Sequence, residues 1–254
     1  MEFRIADTFQ SSLGKLTAQE QKVVKTTAFD LQMGLSGNSA QHHKIERAKD
    51  PNFWSVRANS DIRLIVHKTS ASILICYVDH HDDAYAWARR RRIETHPVTG
   101  AAQIVELREL VEDISINQPL VADGVLESLP AIFPDLDNDQ LLSIGVPEDW
   151  IDDVLSADEE KFLRVADHFP QEAAEILLEV ASGDVSFQQA LQLSQLTTEQ
   201  TTEKDNNGFA HPDAQRRFRI VQDSDELALA LEYPWEKWTV FLHPAQRIFA
   251  YKSF

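Results

Sequence analysis

Short apolar runs separated by polar turns dominate the first eighty residues of the chain. Residues 2–6 predict a strand, and three longer runs at 53–58, 62–68 and 73–79 are rich in Val, Ile, Tyr and Trp. Residues of these types fit the pleated, half-buried surface of a sheet. Because compact polar turns separate the three longer runs, they predict a three-stranded meander.

Two helices complete this part of the chain. Thr17 and Glu20 form a capping-box pattern, which predicts a helix that runs to about Met33. A second helix is predicted from Asp82 to about Glu94, because acidic residues are favourable at a helix N-terminus. Residues 1–97 therefore predict a small α+β domain in which helices pack on a three- to four-stranded antiparallel sheet.

Helical periodicity takes over after a predicted boundary near His96. Ile104, Leu107, Val111 and Ile114 share one helical face, and further helix starts follow up to residue 196. We therefore predict a mostly α-helical region over 98–196.

A polar stretch and a short mixed segment make up the rest of the chain. Residues 197–208 contain almost no large apolar side chains and predict a flexible linker. The following segment, 209–254, predicts a strand at 217–221, a helix at about 225–231 and a tryptophan-rich end.

Charge is unevenly distributed along the 254 residues. The formal net charge is −17. Residues 1–98 carry 14 Lys and Arg against 11 Asp and Glu, whereas residues 99–254 carry 10 against 30. The N-terminal part is thus the better candidate for contact with a polyanion, and the acidic remainder repels one.

Cysteine content and hydropathy favour a protein of the reducing cytoplasm. Cys76 is the only cysteine, which excludes an internal disulfide framework. No apolar stretch approaches the length of about 20 residues that spans a bilayer, so no membrane partner is expected.

The N-terminal segment resembles the RelE/ParE toxin superfamily over roughly residues 1–95. The most specific part is the meander and the turn after it, namely Phe53-Trp54-Ser55-Val56-Arg57, Asp61-Ile62-Arg63-Leu64-Ile65-Val66 and Cys76-Tyr77-Val78-Asp79-His80-His81-Asp82-Asp83-Ala84-Tyr85. The resemblance implies either a metal-independent mRNA endonuclease or a protein that poisons gyrase. The lysine positions of the family fall on Trp54 and Val56, so that part of the family site is missing.

The same resemblance implies a set of site residues. Arg63 matches the phosphate-contacting arginine, His81 or His80 occupies the basic position after the third strand, and Tyr85 or Trp87 stands near the family aromatic. Histidine transfers protons near pH 7, arginine grips phosphate oxygens and an aromatic ring stacks a base. The predicted nucleic-acid contacts, with DNA or RNA as partner, are Arg57, Arg63, Arg89 and Arg90.

Each of these assignments has an alternative explanation. The His80–Asp83 segment also reads as a polar strand-to-helix turn, or as part of a metal site that lacks defined further ligands. An ion pair between Arg63 and a carboxylate such as Asp61 is as well supported by the sequence as a phosphate contact. Residues 89–92 read first as a solvated helix end, and His42 and His43 fall in a predicted loop with no role.

The C-terminal segment resembles the region before the phosphate-binding loop of UvrD/Rep-like superfamily 1 DNA helicases. The residues that carry the resemblance are His211-Pro212-Asp213-Ala214-Gln215-Arg216-Arg217-Phe218 and Tyr233-Pro234-Trp235-Glu236-Lys237-Trp238-Thr239-Val240-Phe241-Leu242-His243-Pro244-Ala245-Gln246. The resemblance implies that Gln246 reads the adenine of ATP. ATP and Mg²⁺ are implied for a full-length helicase only, because the sequence has no Gly-x-x-x-x-Gly-Lys-Ser/Thr loop.

The sequence leads to three functional hypotheses. The first is the N-terminal, non-motor region of a UvrD/Rep-like helicase, with a RelE-type accessory domain that binds nucleic acid and with no ATPase activity of its own. The second is a RelE/ParE-type toxin, and the third is a non-catalytic interaction module. The charge asymmetry adds one hypothesis, that the acidic residues 99–196 mask the basic domain in cis as an antitoxin would.

Overall fold

The computed structural model describes residues 1–34, 42–107, 130–183, 185–196 and 208–232. The architecture is mixed α+β, in agreement with the sequence-based fold class. The chain divides into two compact units: unit 1 is Met1–Arg92 together with Glu203–Phe254, and unit 2 is Ile93–Thr202.

Unit 1 is built on one mixed sheet. Its described strands are β1 (Glu2–Ala6), β2 (His42–Lys44), β3 (Phe53–Arg57), β4 (Ile62–Lys68), β5 (Ser72–His80) and β8 (Phe218–Ile220). Their order across the sheet is β2-β3-β4-β5-β1-β8. β1 runs parallel to β5, and the other neighbouring strands are antiparallel.

The predicted strands β1, β3, β4 and β5 are confirmed, but the predicted sheet is too small. β2 extends it at one edge by pairing with β3, and β8 extends it at the other by pairing with β1. The sheet is also not wholly antiparallel, because β1 lies parallel to β5. β8 comes from the segment after residue 208, so the described part of that segment completes the sheet of unit 1.

The described helices of unit 1 cover both faces of this sheet. They are α1 (Asp7–Leu13), α2 (Ala18–Gln32), α3 (His81–Arg89), α9 (Pro212–Arg217) and α10 (Ser224–Glu232). The capping box that starts α2 is present, since Thr17 Oγ1 accepts from the Glu20 N–H and Glu20 Oε2 accepts from the Thr17 N–H.

The period-two alternation of the strands decides which face each side chain meets. Val56, Leu64 and Val66 point into the core cluster that α1, α2 and α10 share. Residues of the opposite parity, such as Phe53, face α3, whose Trp87 ring lies 5.9 Å from the Phe53 ring. A sheet covered on both faces buries nearly every residue of its central strands.

The helix predicted to reach Glu94 is wrong beyond Arg89. α3 ends at Arg89, and β6 (Arg91–Thr95) begins two residues later. β6 pairs with β7 (Ala102–Glu106) in a hairpin whose turn contains Gly100 at φ +76°. The helical face predicted from Ile104 is therefore also wrong within 102–106, because these residues pair as a strand; Val111 and Ile114 lie outside the described residues.

The remainder of unit 2 is helical where the structure describes it. The helices are α4 (Asn138–Ser143), α5 (Ile151–Leu155), α6 (Glu159–Val165), α7 (Gln171–Ala181) and α8 (Phe187–Leu196), with short 3-10 turns at Glu148–Trp150 and Ala166–His168. Trp150, Phe162, Leu141 and Leu177 form the centre of a second core. Trp150 also donates its indole N–H to the Glu106 carbonyl at 3.0 Å, which ties the hairpin to the helices.

Candidate functional site

Helix α3 carries three predicted site residues on one face. His81, Tyr85 and Arg89 are spaced by four residues, so their side chains follow one another along the helix. The His81 ring stacks on the Tyr85 ring with centroids 4.7 Å apart, and Arg89 Nε donates to the Tyr85 carbonyl at 3.3 Å. The structure therefore brings together one imidazole, one phenol and one guanidinium.

Tyr85 is anchored to the sheet beneath α3. Its hydroxyl lies 2.7 Å from Ser55 Oγ, and Ser55 is fully buried on β3. Two residues further along α3, Trp87 stacks on Tyr77 of β5 with centroids 4.7 Å apart. These contacts fix the rotation of α3 about its own axis, so the face that bears Tyr85 has one defined position over the sheet.

An open cavity of about 300 Å³ lies beside this face, and we call it the α3 cleft. Two residues of α3 and four residues at and after the end of β2 line it, namely Lys44, Ile45, Glu46, Arg47, Tyr85 and Arg89. Three of the six residues are cationic and one is anionic. The lining is thus suited to an anion that also presents a flat apolar face to Tyr85.

Arg63, the predicted phosphate contact, donates to the backbone of the turn between β3 and β4. Its Nη1 donates to the carbonyls of Asn59 and Ile62, both at 3.0 Å, and its Nη2 donates to the Ser60 carbonyl at 3.4 Å. The side chain is also buried. The guanidinium therefore braces the turn between β3 and β4, and the structure directs it to backbone oxygens rather than to the α3 cleft.

His80 belongs to a separate cluster at the end of β5. Its Nδ1 lies 2.6 Å from Asp61 Oδ2, and its Nε2 lies 3.7 Å from Glu20 Oε1. The hydrogen bond to Asp61 raises the pKa of His80, and the same bond lowers the pKa of Asp61. His80 is thus held by the β3–β4 turn and by the start of α2, whereas His81 is on the face of α3 beside Tyr85.

The remaining predicted cations fall outside the lining of the α3 cleft. Arg57 is exposed, and its Nε donates to the Asn59 carbonyl at 2.9 Å, so it contacts the same turn as Arg63. Arg90 follows the end of α3 and is exposed. The run of four arginines is not one solvated helix end, because the chain changes from helix to strand within it and Arg91 lies over the Trp87 ring.

Sequence reasoning missed three residues of this region. Lys44 and Arg47 line the α3 cleft, and His43 precedes Lys44 on β2, a strand of three residues that the sequence reads as a loop. Lys44 stands opposite Trp54 in the β2–β3 register. The available signal was the sequence His42-His43-Lys44 itself, but three polar residues do not predict a strand.

Two buried titratable groups lie on the α3 side of the sheet. His67 Nε2 and Asp50 Oδ2 are 3.6 Å apart, and burial lowers the pKa of His67. Burial also raises the pKa of Cys76 well above its ordinary value. Both groups are enclosed by the sheet and its covering residues, which makes them part of the core.

Within the described ranges, no group of three or more His, Cys, Asp or Glu side chains has a metal-binding arrangement. Gln246, the predicted adenine contact, lies outside the described residues.

No described helix has both the length and the apolar character needed to cross a bilayer. Neither a protein-family model, nor a curated protein, nor a solved structure matches this chain.

Proposed function

We propose that unit 1 binds single-stranded nucleic acid in the α3 cleft. One observation carries this proposal: Tyr85 and the cationic residues Lys44, Arg47 and Arg89 line one open cavity of about 300 Å³. Phosphates supply the negative charge that these cations attract, and an unpaired base supplies the flat face that stacks on tyrosine. A duplex hides its base faces, so the combination favours a single strand.

Base stacking and phosphate contacts affect binding in different, measurable ways. Stacking of one base on an aromatic side chain contributes about 1–3 kcal/mol. Three cations that each neutralise a phosphate give a slope of about −2 in a plot of log K against log salt concentration for a single strand. Binding should therefore be modest in affinity and moderately dependent on salt concentration.

The direct test measures fluorescence anisotropy of a labelled twelve-nucleotide RNA, and of the DNA of the same sequence, over a salt series. Arg47→Gln and Arg89→Gln should each reduce the salt slope by about 0.7, and Tyr85→Leu should weaken binding by about 1–3 kcal/mol with the slope unchanged. Lys22→Gln is the matched control, because Lys22 is exposed on α2, which covers the other face of the sheet.

Equal losses in Lys22→Gln and Arg89→Gln would show that only the general charge of unit 1 matters. Unchanged binding in Tyr85→Leu would remove the stacking component. A chain that binds neither oligonucleotide at low salt would overturn the proposal.

At the level of the family, we propose that the chain is a non-motor region of a UvrD/Rep-like DNA helicase with a RelE-type accessory domain. The residues quoted from the 211–218 and 233–246 segments support this proposal. Residues 1–254 should not hydrolyse ATP in the presence of single-stranded DNA and Mg²⁺, because they contain no phosphate-binding loop. Turnover of ATP by the purified chain would contradict it.

A further inference from the structure

Glu46 is the anionic residue among those that line the α3 cleft. It occupies a central position of a tight turn, in which the Ala48 N–H donates to the Ile45 carbonyl at 3.1 Å. The Ile45 side chain is buried, and its backbone N–H donates to the Phe53 carbonyl of β3 at 3.3 Å. The turn is thus attached to the sheet, which gives the backbone of Glu46 a defined position at the cleft.

The carboxylate of Glu46 makes no ion pair and no hydrogen bond within the described part of the chain. Lys44, Arg47 and Arg89 line the same cavity, but none of these three cations pairs with it. A negative charge beside the phosphate of a ligand lowers affinity unless the ligand offers hydrogen-bond donors to it. The cleft therefore favours a ligand that carries negative charge at one end and a group of donors at another.

Guanine is the base whose Watson–Crick edge meets this requirement. Its N1–H and N2–H donors are adjacent and parallel, so they match the two oxygens of one carboxylate. In adenine, cytosine and uracil, every donor on that edge lies beside a ring nitrogen or carbonyl acceptor, which repels a carboxylate. A cavity of about 300 Å³ is at the lower end of the range for ligand sites, so it suits one nucleotide.

We propose that the α3 cleft selects guanine, with the base stacked on Tyr85 and with Glu46 accepting from N1–H and N2–H. The inference rests on the proposed binding of a single strand and names the base that the strand presents. A bidentate contact discriminates between bases by about 5- to 150-fold. Because the cleft is open to water, we expect a preference near the lower end of that range, at about tenfold.

The test measures fluorescence anisotropy of the full chain with labelled DNA strands of seven nucleotides. Each strand carries one base at its centre and abasic sites elsewhere, so that a single base competes for the cleft. The guanine strand should bind about tenfold more tightly than the adenine and cytosine strands. Hypoxanthine keeps N1–H but lacks the N2 amino group, so its strand should have an intermediate affinity.

Glu46→Met removes both acceptor oxygens and keeps the length of the side chain. It should weaken binding of the guanine strand to the level of the adenine strand. Binding of the adenine and cytosine strands should become slightly tighter, because a negative charge near their phosphates is lost. Changes of opposite sign cannot result from a general loss of folded protein, which would weaken binding of every strand.

Asp30→Asn is the matched control, because Asp30 is exposed on α2, which covers the other face of the sheet. This variant also removes one negative charge, and it should keep the preference for guanine unchanged.

Guanosine monophosphate presents the same base without a strand. It should compete only weakly with the guanine strand, because it brings one phosphate to a cleft that three cations line. Competition by the free nucleotide at the same concentration as by the strand would overturn the strand-bound form of the inference and assign the cleft to a free guanine nucleotide.

The remaining outcomes separate this inference from the function on which it rests. Equal affinity for all the strands, or preference for another base, would overturn the guanine assignment and leave the binding proposal standing. A guanine preference that persists in Glu46→Met would also overturn it. A chain that binds none of the strands at low salt would overturn both proposals.

Discussion

Replacement of Arg63 by methionine separates a structural arginine from a nucleic-acid contact. The family resemblance assigns Arg63 to a phosphate, whereas the structure directs its guanidinium to the carbonyls of the β3–β4 turn. Methionine keeps much of the apolar stem and removes every donor. We therefore expect Arg63→Met to destabilise unit 1 without weakening nucleic-acid binding.

The magnitude follows from the hydrogen bonds. Two bonds have donor–acceptor distances of 3.0 Å, and the third, at 3.4 Å, is long and contributes little to the free energy of unfolding. A bond from a charged donor contributes about 1.5–3 kcal/mol, and the lower end applies here because water can reach parts of the turn. The loss should be about 2–3 kcal/mol in free energy of unfolding. For a chain of this size, it corresponds to a fall in Tm of about 4–12 °C.

Arg57→Met provides the control, because the exposed Arg57 also donates to the Asn59 carbonyl at 2.9 Å. It should cost less than about 1 kcal/mol. Urea unfolding followed by circular dichroism gives the free energies, and anisotropy well below the transition gives the RNA affinity. If Arg63→Met kept wild-type stability and lost RNA binding, the turn-bracing role would be refuted and the phosphate contact supported.

Three further predictions concern stability and reactivity. His80→Gln should destabilise unit 1 most between about pH 4 and pH 6.5, measured as ΔTm across a pH series. The pKa of His80 is raised, so the stability that its ion pair with Asp61 contributes is complete below the ordinary histidine pKa and is lost as pH rises through the folded-state pKa. The pKa of Asp61 is lowered, so the same contribution is also lost in acid, as pH falls through the folded-state pKa of Asp61. The buried Cys76 should resist a disulfide reagent at pH 8 in the native protein and react at once in urea, because burial raises its thiol pKa; rapid reaction in buffer would contradict the enclosed position. Phe162→Ala should cost unit 2 about 3–5 kcal/mol, since its ring is buried against Phe133; a loss below about 1 kcal/mol in urea unfolding would contradict the packing.

Local patterns predicted the elements whose signals lie within a few residues. The capping box at Thr17 and Glu20 correctly marks the start of α2, and β4 has the predicted bounds of 62–68. These predictions succeed because a cap or a β-branched run acts through neighbours in the sequence. β2, with three polar residues, and α1, with seven residues, are too short to carry a periodic signal.

The local sequence patterns did not predict which distant strands pair with each other. β8 finds its partner in β1, where Arg4 pairs with Ile220, and no local pattern indicates such a neighbour. The helix predicted after His81 ends early because Arg91–Thr95 pairs with Ala102–Glu106, and this pairing outweighs the helical preference of single residues.

The candidate site shows the same division between local and distant information. His81, Tyr85 and Arg89 share a face because a helix places every fourth residue together, so their spacing in the sequence contains the information needed to group them. Arg47 joins them only through the packing of α3 over the sheet, which no spacing in the sequence records. The sequence also does not indicate where the Arg63 side chain points, because a strand residue beside a turn can contact either the turn or the open face of the sheet.

Charge density in the sequence is therefore a poor guide to the electrostatic field at the site. The densest cationic run, Arg89–Arg92, divides between a helix end and a strand, whereas Arg47 and Arg89 line one cavity from distant positions. The cleft must attract a polyanion within a protein whose net charge is −17, so each additional phosphate beyond the cleft meets repulsion from the whole chain. A short single strand gains the contacts with Lys44, Arg47 and Arg89 and avoids most of that repulsion. Affinity should consequently stop increasing, or decrease, once the oligonucleotide extends beyond the few nucleotides that the cavity accommodates.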